Sequence, residues 1–155
     1  MYLNGDDGIV KNPVESAKWF RKGADHGSPE CQLLLGAMYL GGNGVIWDET
    51  EALNLLRKAA AQNNSAGELL LGKVFENGRG VTKDVKEAAQ WYERSARHGS
   101  GEGAFCLGQM YEFGRGVATD LETAKYWYGM AAERNNESAI WCLKALKNRP
   151  AKSEK

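Results

Sequence analysis

A period of 36 residues runs through the chain and limits its possible folds more than any other feature. The dipeptide Leu-Gly and the string Gly-x-Gly-Val both recur at this spacing, at 35–36, 71–72 and 107–108 and at 42–45, 78–81 and 114–117. A fixed period of this length is typical of arrays in which each repeat is one supersecondary unit. Such a unit cannot bury its apolar face alone, so neighbouring units stack on one another. The period therefore predicts a repeat protein.

Each repeat is predicted to contain two helices, which we name helix A and helix B. Helix A is expected at 29–40, 65–76, 101–112 and 137–147, and helix B at 13–26, 49–62, 85–98 and 121–134. Helix B follows a residue whose side-chain oxygen can accept hydrogen bonds from the first-turn amides, namely Asn12, Asp48, Asp84 or Asp120. It ends at residues that tolerate the left-handed conformation of a helix C-terminus, namely Gly27, Asn63, Gly99 and Asn135.

A glycine in the middle of helix A indicates that two helices pack closely. Gly36, Gly72 and Gly108 lie inside the predicted helix, where glycine costs roughly 1 kcal/mol relative to alanine. Helix B carries apolar residues at the spacing of one buried helix face. We therefore expect helix B of the same repeat to pass close to the glycine.

The combined pattern resembles the Sel-1-like repeat, a relative of the tetratricopeptide repeat with a longer loop between its helices. Residues 103–135 match A-x-x-x-L-G-x-x-Y-x-x-G-x-G-V-x-x-D-x-x-x-A-x-x-W-[YF]-x-x-A-A-x-x-G, with departures at Gly103 and Asn135. The resemblance covers residues 1–147 and implies an all-α fold, an α/α solenoid wound as a right-handed superhelix. It divides this single domain into a partial unit, three full units and a terminal helix, at 1–27, 28–63, 64–99, 100–135 and 137–147.

The last residues follow the final predicted helix and carry no apolar stripe. Residues 147–155 hold four basic side chains and one acidic side chain. We expect 148–155 to be a disordered basic tail that is simply solvated. Contact of the tail with nucleic acid or acidic lipid is the less favoured alternative.

Charge and hydropathy argue against several classes of protein. The chain has 20 Lys and Arg against 20 Asp and Glu, which excludes a strongly basic nucleic-acid binder. No run of apolar residues is long enough to span a membrane, and the first residues lack the features of a signal peptide. Cys106 and Cys142 share one repeat position, whose stacked equivalents are expected roughly 10 Å apart, too far for a disulfide. With Cys31 as an odd third cysteine, these features favour the cytoplasm and leave the periplasm open.

Recognisable catalytic and cofactor-binding motifs are missing from the sequence. It has no nucleophile elbow, zinc-protease or phosphate-loop string, and its Gly-x-Gly lacks the third glycine and preceding strand of a dinucleotide site. His26 and His98 lie two repeats apart, too far to share a metal. We expect no enzymatic activity, no cofactor and no metal. The resemblance likewise implies a non-catalytic adaptor or scaffold.

The related tetratricopeptide architecture implies that helix A lines the concave surface. One row on helix A reads Leu33, Leu69, Phe105 and Trp141, and the row one turn later reads Ala37, Lys73, Gln109 and Ala145. The first row either packs between neighbouring helices A or is partly exposed in a groove. The candidate partner-binding residues are Leu33, Ala37, Leu69, Lys73, Phe105, Gln109, Glu112 and Trp141.

Charged residues on the helices A predict a mildly acidic inner face. Apart from Lys147 at the end of the last helix, six acids stand against two bases, namely Glu30, Glu68, Glu76, Glu102, Glu112 and Glu137 against Lys73 and Lys144. An acidic groove suits a basic peptide, whereas an exposed aromatic row suits stacking on sugars. The favoured function is a protein–protein interaction scaffold that binds a peptide or partner protein along the concave face, without nucleic acid or membrane insertion. The alternative is an envelope-associated module that binds glycan or peptidoglycan.

Overall fold

The computed structural model describes residues 12–148, and this part of the chain forms eight α-helices and no strand. The helices B are α1 (Pro13–Asp25), α3 (Glu49–Ala61), α5 (Val85–Arg97) and α7 (Leu121–Glu133). The helices A are α2 (Pro29–Gly41), α4 (Ser65–Asn77), α6 (Gly101–Phe113) and α8 (Glu137–Lys147). Every helix predicted from the sequence is present, and no end differs from its predicted position by more than one residue.

Polar side chains begin the helices B as predicted. Asn12, Asp48, Asp84 and Asp120 each accept a hydrogen bond from a first-turn amide. The Thr123 side chain and backbone amide both donate to Asp120 and lower the pKa of its carboxyl group. The helices A have equivalent caps that the sequence analysis did not single out, at Ser28, Asn64, Ser100 and Asn136. Hydrogen-bonded caps thus fix where both helices of each repeat begin.

A residue in the left-handed backbone conformation separates each helix B from the next helix A. Asn63 and Asn135 have φ of 59°, and Gly27 and Gly99 have φ of 87° and 97°. These are the four positions at which the alternation of Gly and Asn predicted such a conformation. Because Asn adopts it more readily than most residues with a side chain, one turn geometry is kept in all repeats.

Helix A and helix B of each repeat meet at the mid-helix glycine. A Cβ atom added at Gly72 would lie 2.4 Å from Cε1 of Tyr92, and one added at Gly108 would lie 2.7 Å from Cδ1 of Tyr128. In the first full repeat, a Cβ atom added at Gly36 would lie 3.1 Å from Cδ2 of Leu56. The close approach predicted from these glycines is therefore confirmed.

Stacking of the helix pairs gives an α/α solenoid. Each helix packs against the next along the chain, and helices A also contact each other across repeats, α2 with α4 and α4 with α6. Most buried side chains of α3 to α8 form one continuous cluster between the two helix layers. A smaller cluster joins Ala17 and Ala24 to Leu35 and Leu55. Burial between repeats supplies the core that a single helix pair lacks.

Two expectations concern parts of the chain outside 12–148. The start of the partial unit at 1–27 and nearly all of the predicted basic tail lie outside the described residues. None of the helices within 12–148 has the length and hydropathy needed to cross a bilayer.

Replacing Gly72 with alanine tests the contact between helix A and helix B. The added methyl group meets the Tyr92 ring, and overpacking of this kind costs about 1–3 kcal/mol. Gly129 in α7 is the matched control, because a Cβ there has nothing within 4 Å. Gly129→Ala is expected to raise stability by about 0.5–1 kcal/mol, since alanine favours a helix more than glycine. Urea unfolding of both variants gives the comparison, and equal effects would contradict the close contact.

Candidate interaction surface

The second predicted row lies on the accessible side of the helices A. Ala37 and Ala145 are exposed, and Lys73 and Gln109 are half-buried. Lys73 Nζ in α4 lies 2.5 Å from Glu102 Oε1 in α6, which ties two helices A together. The row is therefore open to a partner, with one position already used in a bridge between repeats.

The first predicted row is mainly a packing row. Leu69 is only 8% exposed, and Leu33 and Phe105 are half-buried against the main core cluster. The Phe105 ring centroid lies 5.7 Å from that of Tyr128 in helix B of the same repeat. Trp141 is different, with 72% of its surface exposed. It lies on α8, against which no further helix packs within the described residues.

Phe113 was not among the predicted site residues, yet it is 62% exposed at the end of α6. It lies one turn beyond Gln109, where the other repeats have Gly41 and Asn77. The i+4 spacing from the second row places it on the same helix face. Extending that row by one turn would have found this residue.

Glu68 does not contribute to an acidic inner face, because it is fully buried. Its Oε2 atom lies 2.7 Å from Nδ1 of His98, and its Oε1 atom lies 3.1 Å from Nη2 of Arg94. The approach of Arg94 has ion-pair distance without hydrogen-bond geometry, so Oε1 accepts no hydrogen bond among the described residues. Glu68 therefore holds α4 to α5 and is not available to a ligand.

Three other acids of the helices A also have partners within the chain. Glu102 pairs with Lys73, and Glu76 accepts hydrogen bonds from Tyr92 and Arg115. Glu112 accepts a hydrogen bond from Tyr128. Ion pairs therefore neutralise three of the six acids, namely Glu68, Glu76 and Glu102, and the inner face is less acidic than predicted. A partner would meet a face of mixed polarity.

Cys106 and Cys142 show no sign of nucleophilic activation. Burial raises the pKa of the Cys106 thiol to about 11, and burial also raises the pKa of Cys142. Such thiols stay protonated at neutral pH, and a nucleophilic cysteine needs the opposite shift. Cys31, Cys106 and Cys142 are all unpaired. Within residues 12–148 no group of three or more His, Cys, Asp or Glu side chains is placed to hold a metal ion.

Repeated pairs of helices with an accessible row along the helices A define a solenoid repeat protein. The model of the Sel1 repeat matches four successive segments of the chain, at 1–28, 29–64, 65–100 and 102–136. The chain therefore belongs to the Sel1 repeat family, as the resemblance in its sequence predicted. Proteins of this family are generally non-catalytic scaffolds for protein–protein interaction.

Solved structures of this type are similar to the chain. A Sel1 repeat protein from Oxalobacter formigenes is 39% identical, with a TM-score of 0.83 over 89% of this chain and 56% of that one. The antigen c5321 of uropathogenic Escherichia coli, described as protective and as having an SLR fold, is 36% identical, with a TM-score of 0.84 over 93% of this chain and 31% of that one. The chain thus spans little more than half of the first protein and about a third of the second.

A third structure is of similar length to this chain. It is cysteine-rich protein B (hcpB) of Helicobacter pylori, which is 27% identical, with a TM-score of 0.70 over 88% of this chain and 98% of that one. No curated protein matches the chain.

A double-mutant cycle at Glu68 and His98 tests whether the buried carboxylate is structural. His98→Ala removes a donor and is expected to cost about 1–2 kcal/mol, the lower part of the range for a hydrogen bond to a charged group because His98 is partly exposed. Glu68→Ala introduces the residue that the next repeat has at the equivalent position, Ala104. In that background His98→Ala is expected to cost much less. Urea unfolding measures all four proteins, and strictly additive effects would contradict the pairing.

Serine substitutions separate the packing residue from the exposed one. Phe105→Ser removes a ring that contacts Tyr128 and is expected to cost about 2–4 kcal/mol, somewhat below the loss for a fully buried ring. Trp141→Ser is expected to change stability by less than about 1 kcal/mol, because the ring is exposed. Circular dichroism during chemical unfolding compares them, and a larger loss for Trp141 would reverse the assignment.

Proposed function

We propose that the protein is a non-catalytic interaction module that binds a peptide or partner protein along the face formed by the helices A. The observation that carries the proposal is the contrast between two adjacent repeat positions. Gly36, Gly72 and Gly108 are kept, whereas the next residue changes from Ala37 to Lys73 to Gln109. The kept residue touches helix B, and the changing residue is accessible to solvent. A varied accessible row on a fixed scaffold is what selective recognition of a partner requires.

Contacts between successive helices A support their position on the concave side. Helix α4 contacts both α2 and α6, and the Lys73–Glu102 ion pair joins α4 to α6. Solenoid repeats in contact along one layer form the narrower side of the array, and repeat proteins use such concave surfaces for binding. The second row and Phe113 lie on this layer.

The charged and aromatic side chains of the helices A indicate which kind of partner this layer would bind. Because three of its six acids are paired with cations inside the chain, binding is not expected to rest on net attraction of a basic peptide alone. Exposed Phe113 and Trp141 offer apolar anchors, and aromatic side chains are typical of the residues that dominate binding energy at interfaces. The envelope alternative makes use of the same two rings, since they are accessible for stacking on sugars.

Arginine substitutions on the helix A face test the proposal. Ala37→Arg and Gln109→Arg together add two long charged side chains to the proposed contact. The matched control is Asn54→Arg with Gln90→Arg, which places the same charges at exposed positions of α3 and α5. A partner captured from source lysate and then purified is expected to bind the first variant at least about tenfold more weakly, by calorimetry, and the control as strongly as the original chain.

Two results would contradict the proposal. Loss of binding in the α3 and α5 control, with normal binding in the helix A variant, would place the partner on the opposite layer. Binding to a glycan array that Trp141→Ser abolishes, without capture of any protein, would favour the glycan-binding alternative.

A further inference from the structure

In two of the inter-helix loops an arginine lies at the C-terminal end of helix A in the preceding repeat. Arg79 follows α4 and donates a hydrogen bond of 2.6 Å to the carbonyl oxygen of Leu40 in α2. Arg115 follows α6 and donates a hydrogen bond of 3.0 Å to Oε1 of Glu76 in α4. A cation at this place is favoured by the helix dipole. The chain thus uses one arginine to close each of these two junctions between repeats.

Glu112 repeats the geometry of Glu76 one repeat further along. The Tyr92 hydroxyl donates to Glu76 at 2.6 Å, and the Tyr128 hydroxyl donates to Glu112 at 2.7 Å. Burial of Tyr128, followed by its hydrogen bond to Glu112, raises the pKa of its hydroxyl group. The hydroxyl therefore remains a donor at neutral pH and orients the carboxylate as in the preceding repeat.

Glu76 and Glu112 differ in the partner of the carboxylate oxygen that does not accept the tyrosine hydrogen bond. Glu76 receives Arg115 there, whereas Glu112 forms no ion pair with any residue of 12–148. Glu112 is in the last turn of α6, where the helix dipole disfavours a negative charge. The next residue, Phe113, is largely exposed. The end of α6 thus combines an accessible aromatic ring with an oriented carboxylate that has no cationic partner among residues 12–148.

We propose that the end of α6 is an arginine-binding site for a partner protein. The partner's guanidinium pairs with Glu112 as Arg115 pairs with Glu76, and an apolar neighbour of that arginine covers Phe113. The assignment rests on the proposed interaction function and adds the chemistry of the partner. The observed occupant of the Glu76 position also suggests the form of the segment, a glycine-flanked arginine in a loop.

The loop arginines of a second copy of this chain are not free to fill the site. Its Arg79 and Arg115 already form hydrogen bonds inside the chain. Its first loop has Asn43 at the position of these arginines, and an amide carries no charge to pair with Glu112. The occupant we assign is therefore a different protein.

The loop sequence of the chain itself supplies a probe. A synthetic peptide with the sequence of residues 113–119, Phe-Gly-Arg-Gly-Val-Ala-Thr, is titrated into the isotope-labelled full chain and followed by amide chemical shifts. We expect saturable shifts at Glu112, Phe113 and their neighbours. The same peptide with citrulline for arginine keeps the shape without the charge and is expected to bind about five- to tenfold more weakly.

Two conservative variants locate the contact. Glu112→Gln retains an acceptor for Tyr128 and is expected to weaken peptide binding about five- to tenfold. Glu76→Gln makes the same change at a site that Arg115 already fills and is expected to leave binding unchanged. Equal weakening by both variants, or shifts confined to other helices, would overturn the assignment.

Other occupants give distinct outcomes. A gain in peptide affinity after Arg149→Ser, Lys152→Ser and Lys155→Ser would show that the chain's own tail fills the site, and a dimer lost in Glu112→Gln would show a second copy. Either result would overturn the assignment to a partner protein. If the peptide fails to bind while the helix A arginine variants still abolish partner capture, only the arginine site is wrong. If the peptide binds while those variants have no effect, only the proposed face is wrong.

Discussion

The contact between a glycine of helix A and a bulky side chain of helix B sets the geometry of every full repeat. At Gly72 and Gly108 the neighbour is a tyrosine ring, and at Gly36 it is Leu56. Removing the Cβ lets the two helix axes approach, and the ring fills the space along helix A. This approach also brings the Tyr92 and Tyr128 hydroxyls to Glu76 and Glu112 in the last turn of helix A. The packing contact therefore determines where the polar contacts form.

Polar contacts between helices vary from repeat to repeat while their positions are kept. Gln62 donates to Gln32 at 3.0 Å, and one repeat later His98 and Glu68 make the equivalent contact at 2.7 Å. In the following repeat Ala104 is buried at the position of Glu68. A buried polar pair is tolerated when its members satisfy each other, and replacement by an apolar residue of suitable size is also tolerated. One backbone thus accommodates three chemical solutions.

The helix ends were predictable from the sequence because their causes are local. An N-cap such as Asp84 acts within three residues, and a left-handed position such as Asn63 acts on its own backbone. The face on which a helix A residue lies was less predictable. Leu69 is buried and Trp141 is exposed at one repeat position, because burial depends on what the next helix brings. The count of acids overestimated the negative charge of the helix A face for the same reason. The partners of Glu68, for example, lie 26 and 30 residues further along the chain.

The terminal helix shows how one residue can change what a solenoid face accepts. Lys144 stands in α8 where Gly36, Gly72 and Gly108 stand in the other helices A, and it is exposed. A helix placed on α8 as α7 is placed on α6 would bring a bulky side chain onto this lysine. Trp141, three residues before Lys144, is exposed, so under the proposed interaction function a ligand at this ring would have to avoid Lys144 or pair with it through an acidic group. Glu112 at the end of α6 and Lys144 on α8 together present opposite charges beside exposed aromatic rings. Under the proposed interaction function, selectivity at α6 and α8 would depend on residues that depart from the repeat pattern, and the positions that keep the pattern would supply the scaffold.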